Sequence, residues 1–470
     1  MKWKQLVGAG MGGLVGQITA LAALPLISRL YSQEDIGTWA IWLGASTILG
    51  SVAYLRYELA IVVAGDDEEA RNLAVLCGSL LLAGTGLGIM ACAFPAVRKF
   101  VGQGVGIETW IPFTFPIMAL GIGWMQIMQS WCVRRQWYGM QSVAQAVFAV
   151  AAPVFQVVGG LWGGGAEWLV GGTLGGQWIA AVVLGVFVQR KPWRLFRKPS
   201  SVSSLLTAAR RYKAFSFYSA PYTLFGVVRD RASLFILQAF VTSAQVGQYA
   251  FIWRSLNFPV TLISGAIRPV LFRDSAAMGV DQAGRDIRQI LTVLALAGTP
   301  WAVLFFVMPG EWLSAVFGKA WSQAGFIGAW VIWIAFSYLF CNWLDRLMDV
   351  LQRQRLTLMM EMAFSTLALC GMIWAFYAGL GFRGALAAQT TILVTYNLVY
   401  LVVAFHCAGY NLLFLGRLLV LAALTGLGSA SVWLLCRWAW SPWASVGIYI
   451  GIYLVSGAAL GWRLVLRRRG

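Results

Sequence analysis

Apolar runs of roughly twenty residues recur from one end of the chain to the other, each long enough to cross a hydrocarbon core of about 30 Å as a helix. Fourteen stand out, near residues 6–28, 37–63, 73–96, 111–131, 141–161, 166–188, 214–240, 246–267, 289–308, 326–344, 356–378, 383–405, 418–436 and 443–462. Only 11% of the 470 residues are charged, against about a quarter in a soluble domain. The fold class that follows is an all-α polytopic membrane protein.

The net charge of +18 has a topological cause. With both ends inside, the inner loops hold Lys2, Lys4, Arg71, Arg134, Arg135, the basic stretch 189–213 and Arg467 to Arg469, while the outer loops hold only Arg29, Arg98, Lys99, Lys319, Arg383 and Arg437. This is the positive-inside pattern, so the basic excess touches anionic membrane lipids and no nucleic acid is expected as partner. Seven scattered cysteines without CxxC spacing and one histidine, His406, point to neither a disulfide framework nor a metal site. Gly84-Thr85-Gly86-Leu87-Gly88 is not flanked by a strand and a helix, and no Walker lysine pattern occurs, so neither a cofactor nor ATP hydrolysis is expected.

Ile36-Gly37-Thr38-Trp39-Ala40-Ile41 and Val246-Gly247-Gln248-Tyr249-Ala250-Phe251 each follow a polar turn and open a span, at an offset of 210 residues. The offset superposes spans one and two on seven and eight. The expected organisation is therefore two pseudo-symmetric six-helix lobes around a central cavity, residues 1–188 and 214–405, joined by a basic cytoplasmic linker, 189–213. Residues 406–470 carry an appended two-helix hairpin facing lipid. Lys2 and Lys4 before the first apolar run, with Ala20-Leu21-Ala22 after it, imitate a cleavable signal peptide, but the run recurs as part of the repeat.

Charges deep in apolar spans mark the candidate site, because an ionised side chain near a bilayer centre costs about 2.5–3.5 kcal/mol on insertion scales. Arg229, Asp230 and Arg231 interrupt Ser219 to Phe240, and a helix starting near Ala214 puts Arg229 ~22 Å along it. Tyr218, Tyr222, Gly226, Arg229 and Ser233 fall on one side of that helix, with Asp230 beside them; Arg231 shares its side with Leu224, Val227 and Leu234 and is read as bridging to a neighbouring helix. Span eight repeats the pattern with Gly247, Arg254, Asn257, Thr261 and Ser264. Arg254 and Arg229 are set to converge, with an Arg254–Asp230 ion pair as the competing reading. In span two, Thr47, Ser51, Tyr54 and Glu58 form a polar stripe read as facing a cavity, and Arg56, about 200° from Glu58 on an ideal helix, is either a substrate contact or a lipid-headgroup anchor.

A cationic cavity between two helical lobes suits an anionic, amphiphilic solute, and arginine's planar fork suits phosphate or diphosphate. Without ATPase motifs, transport would draw on the substrate gradient, the membrane potential, or an ion such as a proton or sodium, with Asp230 or Glu58 as carriers.

Arg29-Leu-Tyr-Ser-Gln-Glu-Asp-Ile-Gly37, Leu55-Arg-Tyr-Glu-Leu-Ala-Ile61 and Asp66-Asp-Glu-Glu-Ala70 resemble the opening of the bacterial polysaccharide-biosynthesis flippases, within the multidrug/oligosaccharidyl-lipid/polysaccharide exporter superfamily. Val228-Arg-Asp-Arg231, Val246-Gly-Gln-Tyr-Ala250, Arg254 and Pro259 resemble the matching signature of the second half. The resemblance implies a V-shaped, fourteen-helix protein of the bacterial inner membrane, both termini cytoplasmic, that flips an undecaprenyl-diphosphate-linked oligosaccharide to the outer leaflet by alternating access. It implies Arg229, Arg254 and, more weakly, Arg56 as diphosphate ligands, Tyr218, Tyr222 and Asn257 as further substrate contacts, and Asp230, Glu58 and Arg231 as coupling or ion-pair partners. A monomer is expected, with a polysaccharide polymerase or assembly proteins as possible associates. The rival readings are a drug exporter of the same superfamily, for which anionic cavity residues would be expected, and a membrane glycosyltransferase or polymerase. The latter would need outer-face acids, and Glu34, Asp35, Glu108, Glu167 and Glu311 sit unclustered in short loops.

Overall fold

Helices and helical turns account for every regular element among the described residues of the computed structural model. Those residues are 16, 19, 22–101, 110–135, 137–190, 201–213, 215–278, 280–307, 310–344, 347–348, 351 and 353–439. The helices are α1 (residues 22–30), α2 (Gln33–Val52), α3 (Glu58–Val63), α4 (Asp67–Ala91), α5 (Pro95–Val101), α6 (Ile111–Arg134), α7 (Tyr138–Leu161), α8 (Ala166–Arg190), α9 (Val202–Arg211), α10 (Ala220–Phe240), α11 (Ser243–Met278), α12 (Val280–Val307), α13 (Glu311–Phe317), α14 (Gly325–Cys341), α15 (Gln354–Tyr377), α16 (Gly381–Cys407) and α17 (Leu413–Ala439). Among the described residues eight helices, α4, α6, α7, α8, α12, α15, α16 and α17, are long and apolar enough to cross a membrane. The protein is a multi-pass, all-α membrane protein. The span expected at 443–462 and most of that at 6–28 lie outside the described residues.

Two expected spans differ in detail. Span two is broken into α2 and α3. Span seven opens with a π turn, Phe215–Ser219, before α10 begins.

The chain divides into two compact units, Met1–Phe251 and Ile252–Gly470. In the first, α6 is the hub, touching α2, α3, α4, α5, α7 and α8. Without water between lipid-embedded helices, van der Waals contact has to draw them together, and small residues let the backbones approach. Gly50 and Gly84 serve this purpose: a Cβ on Gly50 would stand 2.9 Å from both the Ala119 carbonyl oxygen and Ile122 Cβ, and one on Gly84 would stand 2.8 Å from Ala53 Cβ. Gly123 does the same for Leu81 and Tyr54.

In the second unit α12 packs on α14 and α17, and α16 packs on α14 and α15. Polar atoms inside it are matched pairwise: Asn397 Nδ2 donates to Ser337 Oγ at 2.8 Å, and Asn342 Nδ2 to Ser264 Oγ at 3.3 Å. Leu419, Leu424, Leu427, Leu434 and Leu435 leave α17 with an exposed apolar face, as a lipid-facing helix requires.

Gly50→Ala should lower the thermal stability of detergent-solubilised protein by about 1–3 kcal/mol through overpacking against α6. Gly86→Ala, on α4 with no atom within 4 Å of the new Cβ, should be neutral or slightly stabilising. Melting followed by circular dichroism separates the two, and equal melting points would refute the close-approach role of Gly50.

Candidate functional site

The membrane-length run at 37–63 contains no proline, and no glycine follows Gly50 in it, yet the helix stops at Val52. Leu55 and Arg56 take left-handed backbone angles, φ 51° and 60°, uncommon for residues with a Cβ. Turn hydrogen bonds keep the backbone satisfied across the gap, from Leu55 N to Val52 O at 2.8 Å and from Tyr57 N to Tyr54 O at 3.2 Å. Arg134 on α6 then donates from Nη1 to Ile61 O at 3.3 Å and Ala64 O at 2.7 Å, satisfying carbonyls at the end of α3. An arginine does here what a capping turn does elsewhere.

The break changes which residues meet. Arg56 Nη1 lies 2.8 Å from Glu58 Oε1, so the separation of about 200° expected on an unbroken helix does not hold. Tyr54 and Glu58 are also not cavity-lining: Tyr54 is fully buried, and the Glu58 side chain is 2% exposed against 22% for Arg56. Tyr54 packs into the cluster formed with Cys77, Leu81, Met128 and Trp131, while Thr47 and Ser51 stay half-buried. Glu58 Oε2 and Arg56 Nε make no hydrogen bond. The pair is thus a buried carboxylate with one partially accessible counter-charge, poised on a strained backbone.

Beside this break lies an acidic hub at the start of α4. Asp67 faces two arginines, with Arg135 Nη2 at 2.6 Å and Arg134 Nη2 at 3.4 Å. Glu69 accepts from Arg211 Nη1 at 2.8 Å, Tyr212 Oη at 3.0 Å and Gly65 N at 3.0 Å, and Tyr57 Oη donates to Ala209 O at 3.2 Å. The basic linker helix α9 is therefore docked onto the acidic end of α4 next to the Arg56–Glu58 break. Its exposed Val202 and Leu206 form an apolar face of the kind that rests on a membrane surface.

The charged triplet 229–231 sits inside the unbroken helix α10. Asp230 is exposed, while Arg231 is half-buried and packs its Cδ on Gly44 of α2, 3.8 Å from where a Cβ would stand. The side chains of Tyr218, Tyr222 and Arg229 lie outside the described residues. On α11, Arg254 is exposed and Asn257, three residues on, is half-buried.

One polar network had no signal in the sequence, because it is built from neutral residues in apolar helices. Thr173 Oγ1 accepts from Trp39 Nε1 at 2.8 Å and Gln156 Nε2 at 2.9 Å and donates to Leu169 O at 2.8 Å. Tyr31 Oη donates to Gln156 O. Burial, with the Asp35 and Glu167 carboxylates nearby, pushes the Tyr31 phenol up to about 12, so it stays a donor near neutrality. Together these bonds lash α2, α7 and α8.

Helices of membrane length, with charges inside apolar segments, define a multi-pass membrane protein. The chain belongs to a family described as polysaccharide biosynthesis protein, whose profile matches residues 26–325. Its fold is similar to that of the lipid II flippase MurJ in an inward closed conformation, at a TM-score of 0.70 and 12% identity over 97% of this chain and 99% of that one. It is also similar to an inward-facing multidrug resistance MATE family transporter of the MOP superfamily, at 0.61 and 13% identity over 86% and 95%. No curated protein matches the chain by sequence.

Removing one partner of a buried pair strands the other, so Arg56→Ala and Glu58→Ala should each destabilise the protein more than the Arg56→Met/Glu58→Met double variant does. A thermal double-mutant cycle with the alanine variants should give a coupling of about 0.5–3 kcal/mol. Additive effects would mean that the pair does not hold the break.

Proposed function

We propose that this protein is a flippase of the bacterial inner membrane, not an enzyme, which moves an undecaprenyl-diphosphate-linked oligosaccharide from the inner to the outer leaflet by alternating access for polysaccharide biosynthesis. Membership of the polysaccharide biosynthesis family over residues 26–325 carries this reading. The likeness of fold to a lipid II flippase supports it. Both termini lie on the cytoplasmic side in this proposal, as the basic asymmetry of the loops argues.

Arg229, Arg254 and Arg56 are the diphosphate ligands in this reading, and Tyr218, Tyr222 and Asn257 face the sugars or the linkage. Each arginine offers charge-assisted bonds in a medium where they are not screened. Arg56 has a particular role. Its partner Glu58 holds it until a phosphate competes, and the carboxylate left behind needs a new counter-charge, which a coupled proton or sodium ion would supply. Asp230 and Arg231 balance the charge of Arg229 and its neighbours on α10. The membrane potential favours export of a multiply negative headgroup from a cytoplasm that is negative inside. A polysaccharide polymerase or assembly proteins would receive the flipped lipid.

The deciding measurement is translocation of a fluorescent polyprenyl-diphosphate oligosaccharide in proteoliposomes. The protein should flip it, and Arg229→Ala or Arg254→Ala should slow flipping about 10–100-fold, the cost of losing one charge-assisted contact of about 1.5–3 kcal/mol. Unchanged rates in both variants would return these arginines to structural roles. Extrusion of a cationic drug without flipping would favour the exporter reading, which the likeness to a MATE transporter supports.

A further inference from the structure

The two copies of the sequence repeat meet each other at their glycines. A Cβ on Gly37 would lie 2.1 Å from the Ser243 carbonyl oxygen and 3.1 Å from Gly247 N, and a Cβ on Gly247 would lie 1.9 Å from the Gln33 carbonyl oxygen and 2.8 Å from Gly37 N. Since 33 and 37 correspond to 243 and 247 at the 210-residue offset, each contact is the image of the other. The first turns of α2 and α11 therefore cross about a local pseudo-twofold axis, backbone on backbone. Real Cβ atoms do not approach other atoms this closely, so no residue but glycine fits either position without parting the helices.

The crossing is made to come apart. Each helix start satisfies its own donors with a reciprocal cap: Ser32 and Asp35 on α2, Thr242 and Gln245 on α11, again at matching repeat positions. Neither cap borrows an acceptor from the opposite helix, so separation does not strand a capping bond. Two helix N-termini, each carrying roughly half a positive charge, also face one another, which weakens the contact. Meanwhile α2 is fixed to its own bundle, through Asp35 Oδ1 to Ala166 N at 2.9 Å and through Trp39 to Thr173. Across the crossing, Gln248 Nε2 donates to Gln33 Oε1 at 2.7 Å, and Thr38 is buried to 1% exposure. The crossing sits in the first turns of α2, with Gly37 about 22 Å along the helix from Val52, where α2 ends before the Arg56–Glu58 break.

We propose that the Gly37–Gly247 crossing is the gate of the transport cycle on the face opposite the basic linker: α2 and α11 part there to open that face and close there, glycine to glycine, to seal it. The gate rests on the alternating-access reading above. The geometry assigns glycine a specific task at each position: any side chain at residue 37 or 247 acts as a wedge that holds the gate ajar.

A disulfide tests this directly. Gln33→Cys and Gln248→Cys should cross-link readily, as detected by joining of the two fragments after cleavage at a protease site placed in the 191–200 segment. The cross-linked protein should lose at least nine-tenths of its flipping in the proteoliposome assay and regain it on reduction. Gly37→Ala or Gly247→Ala should cut the cross-link yield severalfold and raise the labelling rate of Thr38→Cys by a membrane-impermeant maleimide, with Gly86→Ala as a control that changes neither. Full flipping by the cross-linked protein would overturn the gate, as would unchanged cross-linking and labelling in both glycine variants. Cross-linking and labelling need no substrate, so a wild-type protein that fails to flip the probe would sink the substrate assignment while these two readouts still judge the gate.

Discussion

No water reaches the hydrocarbon core to receive a free peptide group, and every described feature of this chain answers to that constraint. Long helices satisfy it internally. Where α2 stops at Val52, the chain must satisfy it by other means, and it does so with i to i−3 turn bonds and the guanidinium of Arg134. The break lies in the packed interior around α6 because only there can irregular backbone find such partners. Arg134 thereby joins the structural requirement to the electrostatic one: it also faces Asp67, whose second arginine is Arg135.

This arrangement places three levels of structure in one region. Strained backbone at Leu55 and Arg56 brings a cation to a buried carboxylate; the acidic start of α4 holds the linker helix beside it; and the linker connects to the π turn that opens α10. At the far end of α2 the contact is of another kind, two glycine backbones in close approach with a neutral Gln248–Gln33 hydrogen bond beside them.

Much of this was legible in the residues. Expected spans at 111–131, 141–161, 166–188, 356–378 and 383–405 lie within a few residues of α6, α7, α8, α15 and α16, since helix length in a membrane is dictated by apolar length. The two aromatic-glycine openings stand at the starts of α2 and α11, where matching caps occur at the same 210-residue offset. The broken span was not legible, because Ala53 to Tyr57 contains no glycine or proline and an ideal helix put Arg56 and Glu58 apart. Nor was the Tyr31–Gln156–Thr173–Trp39 network, whose neutral members carry no mark that distinguishes a partnered residue from a solitary one.

The sequence by itself determined that the chain is all-helical and crosses the membrane many times, the approximate bounds of most of its apolar helices, and the segments that carry charge within apolar runs, because apolar length and ionisation are properties of single segments. Tertiary structure alone decided that Arg56 meets Glu58, that Arg134 closes α3, that Glu69 receives the linker, and that Gly37 lies on Gly247. Each of these depends on the approach of two segments distant in the chain or on a backbone bent by its neighbours, and at such contacts tenths of an ångström between packed atoms decide the outcome.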